Sequence, residues 1–452
     1  MLSLWPIDPV PDQADPWHSD PMTSDVATIC SELISLDTSN YGDGTGPGEA
    51  SAAEYVEAFL RGAGLQPERF QTTSATRQAV VCRIPGQDPQ APGLVIHAHL
   101  DVVPAIAADW SVPAFEGTIH DGMVWGRGAV DMKDMDAMIL TVVQQWQSHG
   151  IKPRRDIVLL FLPDEEAGGR HGAHWVVENR PELLEGVTEG IGEVGGFSVE
   201  LANHKRLYMI ETAQKGLAWL RLKASGTAAH GSLIHDDNAV TRLARTISRI
   251  GEHRFPIQLT PPVQEFLEAA CDAAGVPFDP SDPEAVIGQL GPAARMIGAT
   301  MRHTANPTML SAGYKSNVIP GEAQAMVDAR FLPGLEEDFF AQFDALLEPG
   351  VTYEPQEKDI SLQTTFDGDL VAGMTAALRA EDPHAIPVPY TLSGGTDAKA
   401  LSLLGIRCYG FAPLQLPADL DFTSLFHGID ERVPVSSLEF GVRVLDRFLR
   451  DA

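Results

Sequence analysis

Short apolar runs alternate with amphipathic segments along much of this chain. Ser51–Leu60 reads SAAEYVEAFL, with apolar residues at helical spacing, and Gly62 and Gly64 follow as stop signals. Beyond it come LVIHAHL at 94–100, a helical segment at 133–148, IVLLFLP at 157–163 and a further helix from about 171. Strand-like runs separated by helix-length segments predict an α/β unit with a mostly parallel sheet. In such sheets ligands gather beyond the carboxyl ends of the strands.

Near residue 215 the pattern changes. LAWLRLKASG alternates with period two, and a helix at 238–251, a strand at 323–331, a helix at 335–347 and a strand at 351–356 follow. This order predicts a small α+β domain inserted into the first, dividing the chain into 1–214, an insert at 215–360, and 361–452. The Pro-punctuated stretch 256–305 reads as an insertion within the small domain. From about 366 a helix, the strand GIRCYGFAP and a final helix at 435–450 complete the larger unit. Residues 1–22, rich in Pro and Asp, suggest an ordered extension at best.

Composition narrows the class. A length of 452 residues predicts two or three folding units at roughly 150 residues each, and 44% hydrophobic against 21% charged residues is a globular balance. The 62 acidic and 32 basic residues give a net charge of -30, which repels phosphate backbones and anionic lipid surfaces and argues against both as partners. The N-terminal sequence lacks the pattern of a secretory signal, and no segment reaches the ~20 apolar residues of a membrane span. Cys30, Cys82, Cys271 and Cys408 form no C-x-x-C pair, so neither a disulfide framework nor a thiolate zinc site is predicted, and a reducing cytoplasm fits best.

Polar clusters fall at the predicted strand ends. His99 and Asp101 close the first run, and a carboxylate near a histidine can accept its second ring N–H and leave the other nitrogen for a metal. His97, two residues earlier, reads as structural. In GRGAVDMKDMDA, glycines 126 and 128 make a tight turn before Asp131; an N-cap is the competing reading for Asp131 or Asp134. The motif is no dinucleotide fingerprint, because its sixth position is Asp131 rather than glycine. FLPDEEAGG sets Asp164, Glu165 and Glu166 in a row, where adjacent anions call for a cation or a shared proton unless the loop is solvated. With Glu193 in GIGEVGGFS and His427 in LFHGIDERV, the set holds two histidines, several carboxylates and no thiolate, which suits zinc, cobalt or manganese.

The order HLDVVP, GRGAVDMKD, PDEEAGG, GEVGG, AHGS, KSNVIPGEAQAMVDARFLPG, SGGTDA and FHGIDERV resembles the co-catalytic zinc peptidase family of aminoacylase, carboxypeptidase G, carboxypeptidase S and succinyl-diaminopimelate desuccinylase, over about residues 90–445. The resemblance implies two zinc ions bridged by Asp131, with His99 and Glu193 on one and Glu166 and His427 on the other. It makes Glu165 the general base and Asp101 the carboxylate partner of His99, and it implies a cis peptide after Asp131. It also implies that the insert is a lid and homodimerisation surface carrying His230 to the oxyanion. Asn317 and Arg330 would hold a substrate carboxylate, and Gly394, Gly395 and Thr396 would line the pocket. The expected reaction is hydrolysis of an amide bond in a dipeptide or N-acyl amino acid. Two alternatives stand beside it. An inactive binding protein would lack a ligand or the base, and none is missing; a nucleotide-binding α/β enzyme needs a phosphate loop that the sequence lacks.

Overall fold

The computed structural model describes residues 25–201, 203–288 and 293–452. The expectation for residues 1–22 lies outside them. A ten-stranded sheet forms the larger layer, and its centre is parallel: Gly93–His99 lies between Ile157–Leu162 and Val187–Gly192, and Arg407–Gly410 extends the parallel run. Antiparallel strands Gln78–Ile84 and Arg206–Gln214 flank this centre, and Ala385–Leu392 pairs in parallel with the latter. Gly93–His99 and Ile157–Leu162 are buried along their whole length. That is why they read as continuous apolar runs rather than alternating ones.

One face of the sheet is covered by Val26–Ile34, Ala50–Gly62, Lys133–His149, Gly368–Glu381 and Val435–Asp451, which pack on one another in the main apolar core. The opposite face carries Ala173–Asn179 and Ala398–Ser402 over a second core. The smaller layer is an antiparallel sheet in the order Thr304–Ala312, Glu322–Phe331, Gly216–Ser225, Val351–Asp359. Period-two alternation along Glu322–Phe331 buries Ala323, Ala325, Val327, Ala329 and Phe331 against Ala239–Glu252 and Glu336–Asp344. Asn238 caps the first of these helices, accepting from the amides of Val240 and Thr241.

The stretch 256–305 departs from its expected place. Its helix Pro261–Ala274 packs on Ala385–Leu392, and Val263, Phe266, Leu267 and Ala270 are buried in the core of the large sheet, not in that of the small one. An apolar helix stripe identifies a buried face but not the surface that covers it. Two buried lysines fasten the junction of the layers. The Lys215 ammonium donates to the carbonyls of Ala299 and Arg302, and that of Lys399 donates to the Lys215 carbonyl at 2.9 Å.

Candidate metal centre

His99 ends the central strand, Glu165 and Glu166 follow the end of Ile157–Leu162, and Glu193 follows Val187–Gly192. Parallel neighbours therefore deliver polar residues at or just beyond their carboxyl ends to one crevice. Asp131 arrives from a different direction, on the turn between Met123–Trp125 and the helix Lys133–His149. At Gly126 an added Cβ would meet Ile34 Cγ2 at 2.4 Å, and at Gly128 it would meet Val102 Cγ1 at 2.8 Å, so both glycines are required for the close approach. The Asp131–Met132 peptide is cis, as expected. Neither Asp131 nor Asp134 caps the helix, whose N-cap position is Met132.

Asp131 stands between two half-sites. Its Oδ1 lies 3.1 Å from His99 Nε2, which is 3.4 Å from Glu193 Oε2; its Oδ2 lies 3.2 Å from His427 Nε2, which is 3.0 Å from Glu166 Oε2. Ligand atoms of His99, Asp131 and Glu193, and separately of Asp131, Glu166 and His427, lie close enough to hold an ion each. Glu165 Oε2 is 3.9 Å from His99 Nε2, so it shares the crevice with the first group. Among the described residues, these four carboxylates form ion pairs with the two histidines and with no Lys or Arg.

The electrostatics show a deficit of positive charge. Burial and the Glu193 carboxylate push Glu165 well above the usual range, with His99 opposing. Burial raises Glu193 to about 7. Hydrogen bonds to Asp131 and Glu166 raise His427 to about 10, and burial of His99 is outweighed by Glu193 and Asp131, so its proton is also held tightly. Buried carboxylates in such excess need a cation. The His99 Nδ1–H donates to the Asp101 backbone carbonyl at 2.9 Å, which fixes Nε2 as the nitrogen facing Asp131 and leaves its lone pair for a metal. Oxygen and imidazole donors with a fixed tautomer thus fit divalent ions of the zinc, cobalt and manganese group.

Asp101 serves the centre differently from expectation. Its carboxylate is 3.7 Å from His99 Nδ1 and instead accepts the backbone amides of Glu165 at 3.0 Å and Glu166 at 3.1 Å and the Asn40 amide at 2.8 Å. The carboxylate thereby shapes the turn that carries both glutamates. Asn40 also donates to Asp164, and Arg77 donates to Asn40 at 3.0 Å while pairing with Asp164 and Glu49. A second support is Glu431, fully buried, which accepts from Arg127 at 2.7 Å and from the amides of Gly128 and Val130 at 3.1 and 2.8 Å. It holds the turn before Asp131. Asn40, Arg77 and Glu431 were not singled out by the sequence; only Glu431 lay inside a recognised motif.

Three residues of the centre, Asp164, Val194 and His427, have left-handed φ of 75°, 54° and 57°. Such conformations cost about 1–3 kcal/mol each in non-glycine residues and persist where the surroundings impose them. The buried His97 ring fills the space where a Cβ on Gly192 would sit. Gly394 and Gly395 line the crevice. Thr396 does not; it is buried, with its Oγ1 accepting from Gln214 at 2.8 Å and its amide donating to Gln214 at 2.9 Å. His230, Asn317 and Arg330 also stand outside the crevice lining. His230 is exposed and bonded to Ser232 at 2.8 Å, the Asn317 carbonyl accepts from Gly231, and Arg330 pairs with Asp328 at 2.7 Å.

Histidines and carboxylates gathered in this way where a parallel sheet opens suit a metal-dependent hydrolase. The chain belongs to peptidase family M20/M25/M40, whose model matches residues 95–451. It is similar to the N-fatty-acyl-amino acid synthase/hydrolase PM20D1 of Bos taurus, 27% identical over 89% of this chain and 82% of that protein. Aminoacylase-1 of Sus scrofa is 26% identical over 89% of this chain and 90% of its own length. Among solved structures, the fold is similar to that of the M20 family metallo-carboxypeptidase Sso-CP2 from Sulfolobus solfataricus, with TM-score 0.71 and 17% identity over 95% and 99% of the two chains. It is also similar to the di-peptidase Dug1p from Saccharomyces cerevisiae, with TM-score 0.69 and 14% identity over 94% and 95%.

Proposed function

We propose that the protein hydrolyses the amide bond of a small substrate bearing a free carboxylate, a peptide or an N-acyl amino acid. The observation that carries this reading is the position of Asp131, with one carboxylate oxygen facing His99 and Glu193, the other facing Glu166 and His427, and Glu165 beside them. Aminoacylase-1 and the N-fatty-acyl-amino acid synthase/hydrolase among its relatives support the same class. Two zinc ions on those residues, or cobalt or manganese in their place, would acidify a water and polarise the substrate carbonyl. Glu165 takes the proton of the attacking water and returns it to the leaving nitrogen, a role its buried, proton-holding carboxyl suits. Asn317 and Arg330 bind the substrate carboxylate, with Arg330 exchanging Asp328 for it, and His230 donates to the oxyanion.

Hydrolysis of a panel of dipeptides and N-acyl amino acids by the zinc-loaded protein tests this reading. Release of free amino acid from at least one class is expected; a metal-loaded, folded protein inert towards all of them overturns it. No helix among the described residues is long and apolar enough to cross a membrane. The four cysteines are buried and unpaired, which supports the cytoplasm as the site of action.

The small layer acts in this reading as a lid and as a homodimer surface. Leu233, Ile234, Met309, Leu310 and Tyr314 are all exposed there, and Thr304–Ala312 is an edge strand. Exposed apolar side chains beside an open edge favour pairing with a second copy. Sedimentation should give a dimer, and His230→Ala mixed with Glu165→Gln should regain activity as subunits exchange. A monomer, or a dead mixture after proven exchange, removes the trans role of His230.

A further inference from the structure

We infer that the crevice beside the metal ligands is an acyl-chain subsite, which takes the apolar acyl group of an N-acyl amino acid and rejects the charged amino end of a dipeptide. This rests on the amide-hydrolase reading above and commits it to one substrate class. The crevice has a volume of about 400 Å³, within the range of small-molecule sites. Its apolar wall is built from Val194, Phe197, Ala299, Tyr390, Leu392 and Phe426. Two of these adjoin the proposed ligands in sequence, Val194 following Glu193 and Phe426 preceding His427. The wall therefore begins at the metal ligands, and a group attached to the scissile carbonyl meets it first.

The wall is firmly set. Phe197 and Tyr390 are 2% and 4% exposed, with their rings 6.3 Å apart in an edge-to-face arrangement, and Phe197 also packs on Phe422. Ala299 is placed from the other side, because the buried Lys215 ammonium holds its carbonyl. Charge decides between candidate substrates. The ionisable residues along the crevice are Asp131, Glu165, Glu166, Glu193, His427 and Tyr390, and no Lys or Arg lines it. A substrate carboxylate finds no Lys or Arg there to pair with, and in this reading the ions face the scissile carbonyl, so the carboxylate lies elsewhere. With four carboxylates committed to ions and to the base, a free α-ammonium finds no uncommitted anion, and its desolvation is not repaid. An uncharged alkyl or aryl group loses nothing on entry and gains from leaving water.

Two measurements test the inference. In the zinc-loaded Glu165→Gln protein, calorimetry compares binding of N-acetyl-, N-butanoyl-, N-hexanoyl- and N-octanoylglycine; in the unmodified protein the same series is followed by kcat/KM. Affinity and kcat/KM should rise about fourfold per methylene until the crevice is filled. Leucylglycine, similar in bulk to N-hexanoylglycine but carrying the ammonium, should fall at least tenfold below it. A second series, N-acetylglycine, -alanine, -leucine and -phenylalanine, should vary much less. Ala299→Leu should cut the octanoyl-to-acetyl ratio at least tenfold by filling the crevice. Phe426→Ala should flatten the acyl series by removing part of its wall, should the first variant fail to fold. Turnover with a flat acyl series, or with a steep dependence on the amino-acid side chain instead, overturns the subsite and leaves amide hydrolysis standing. Absence of turnover on every compound overturns the hydrolase reading, while the binding series on Glu165→Gln still decides what the crevice takes.

Discussion

Replacing Glu165 by Gln should lower turnover by about 10²–10⁴-fold, the usual contribution of a general base, while leaving metal content and melting temperature at their native values. The substitution keeps the shape of the side chain and the backbone amide that donates to Asp101 at 3.0 Å. It removes the one carboxyl of the crevice that belongs to neither proposed ligand group. Elemental analysis, a thermal melt and a single-turnover assay on the same preparation separate base loss from metal loss. Glu166→Gln is the contrasting variant, since it alters a proposed ligand 3.0 Å from His427 and should reduce metal content. Near-native turnover in Glu165→Gln would remove this residue from the mechanism.

Asp131→Ala should abolish activity through the metal itself. The unmodified chain is expected to carry two ions after dialysis, His427→Ala one, and Asp131→Ala neither, because only Asp131 contributes to both ligand groups. Ions that bind the folded state alone stabilise it, by about 2.7 kcal/mol for each site at free metal a hundredfold above its Kd. Chelation should accordingly lower the melting temperature of the unmodified protein and barely move that of Asp131→Ala. Two ions retained by Asp131→Ala, or a melt indifferent to chelator, would contradict the bridging role.

The residues that gather in the crevice were legible because parallel strands end in register: His99, Glu165, Glu166 and Glu193 each follow an apolar run or lie in a motif of the resemblance. The strands that end at His99 and before Glu165 appear close to their expected bounds, Gly93–His99 against 94–100 and Ile157–Leu162 against 157–163, as do the helices Lys133–His149 against 133–148 and Val435–Asp451 against 435–450. What stayed hidden depends on contacts between distant segments. Asn40 and Arg77 have no local pattern, yet their hydrogen bonds reach Asp101 and Asp164 across the sheet. Asp101 lies beside His99, but sequence separation could not say that its backbone, and not its carboxylate, would take the ring N–H. Thr396 sits one residue beyond the glycines that line the crevice, and Gln214 turns it inward. The helix Pro261–Ala274 was visible as helix-forming sequence within an insertion, but the surface that it covers was not.

The dependence of the Asp131 turn on Glu431 bears on the order in which the molecule assembles. The hydrogen bonds from Gly128 and Val130 to that carboxylate span 303 and 301 residues of chain, and Asp131 meets His427 over a similar distance. Contacts of such separation form late, after the entropy of closing the intervening chain has been met by other contacts. During synthesis the strands bearing His99, Glu165, Glu166 and Glu193 leave the ribosome long before residues 427–431 exist. For most of that interval the nascent chain presents carboxylates without their final partners, and the turn carrying Asp131 lacks its anchor on Glu431. The grouping of Asp131 with His99, Glu166, Glu193 and His427 therefore waits on residues 427–431, some 300 positions after the turn that they complete.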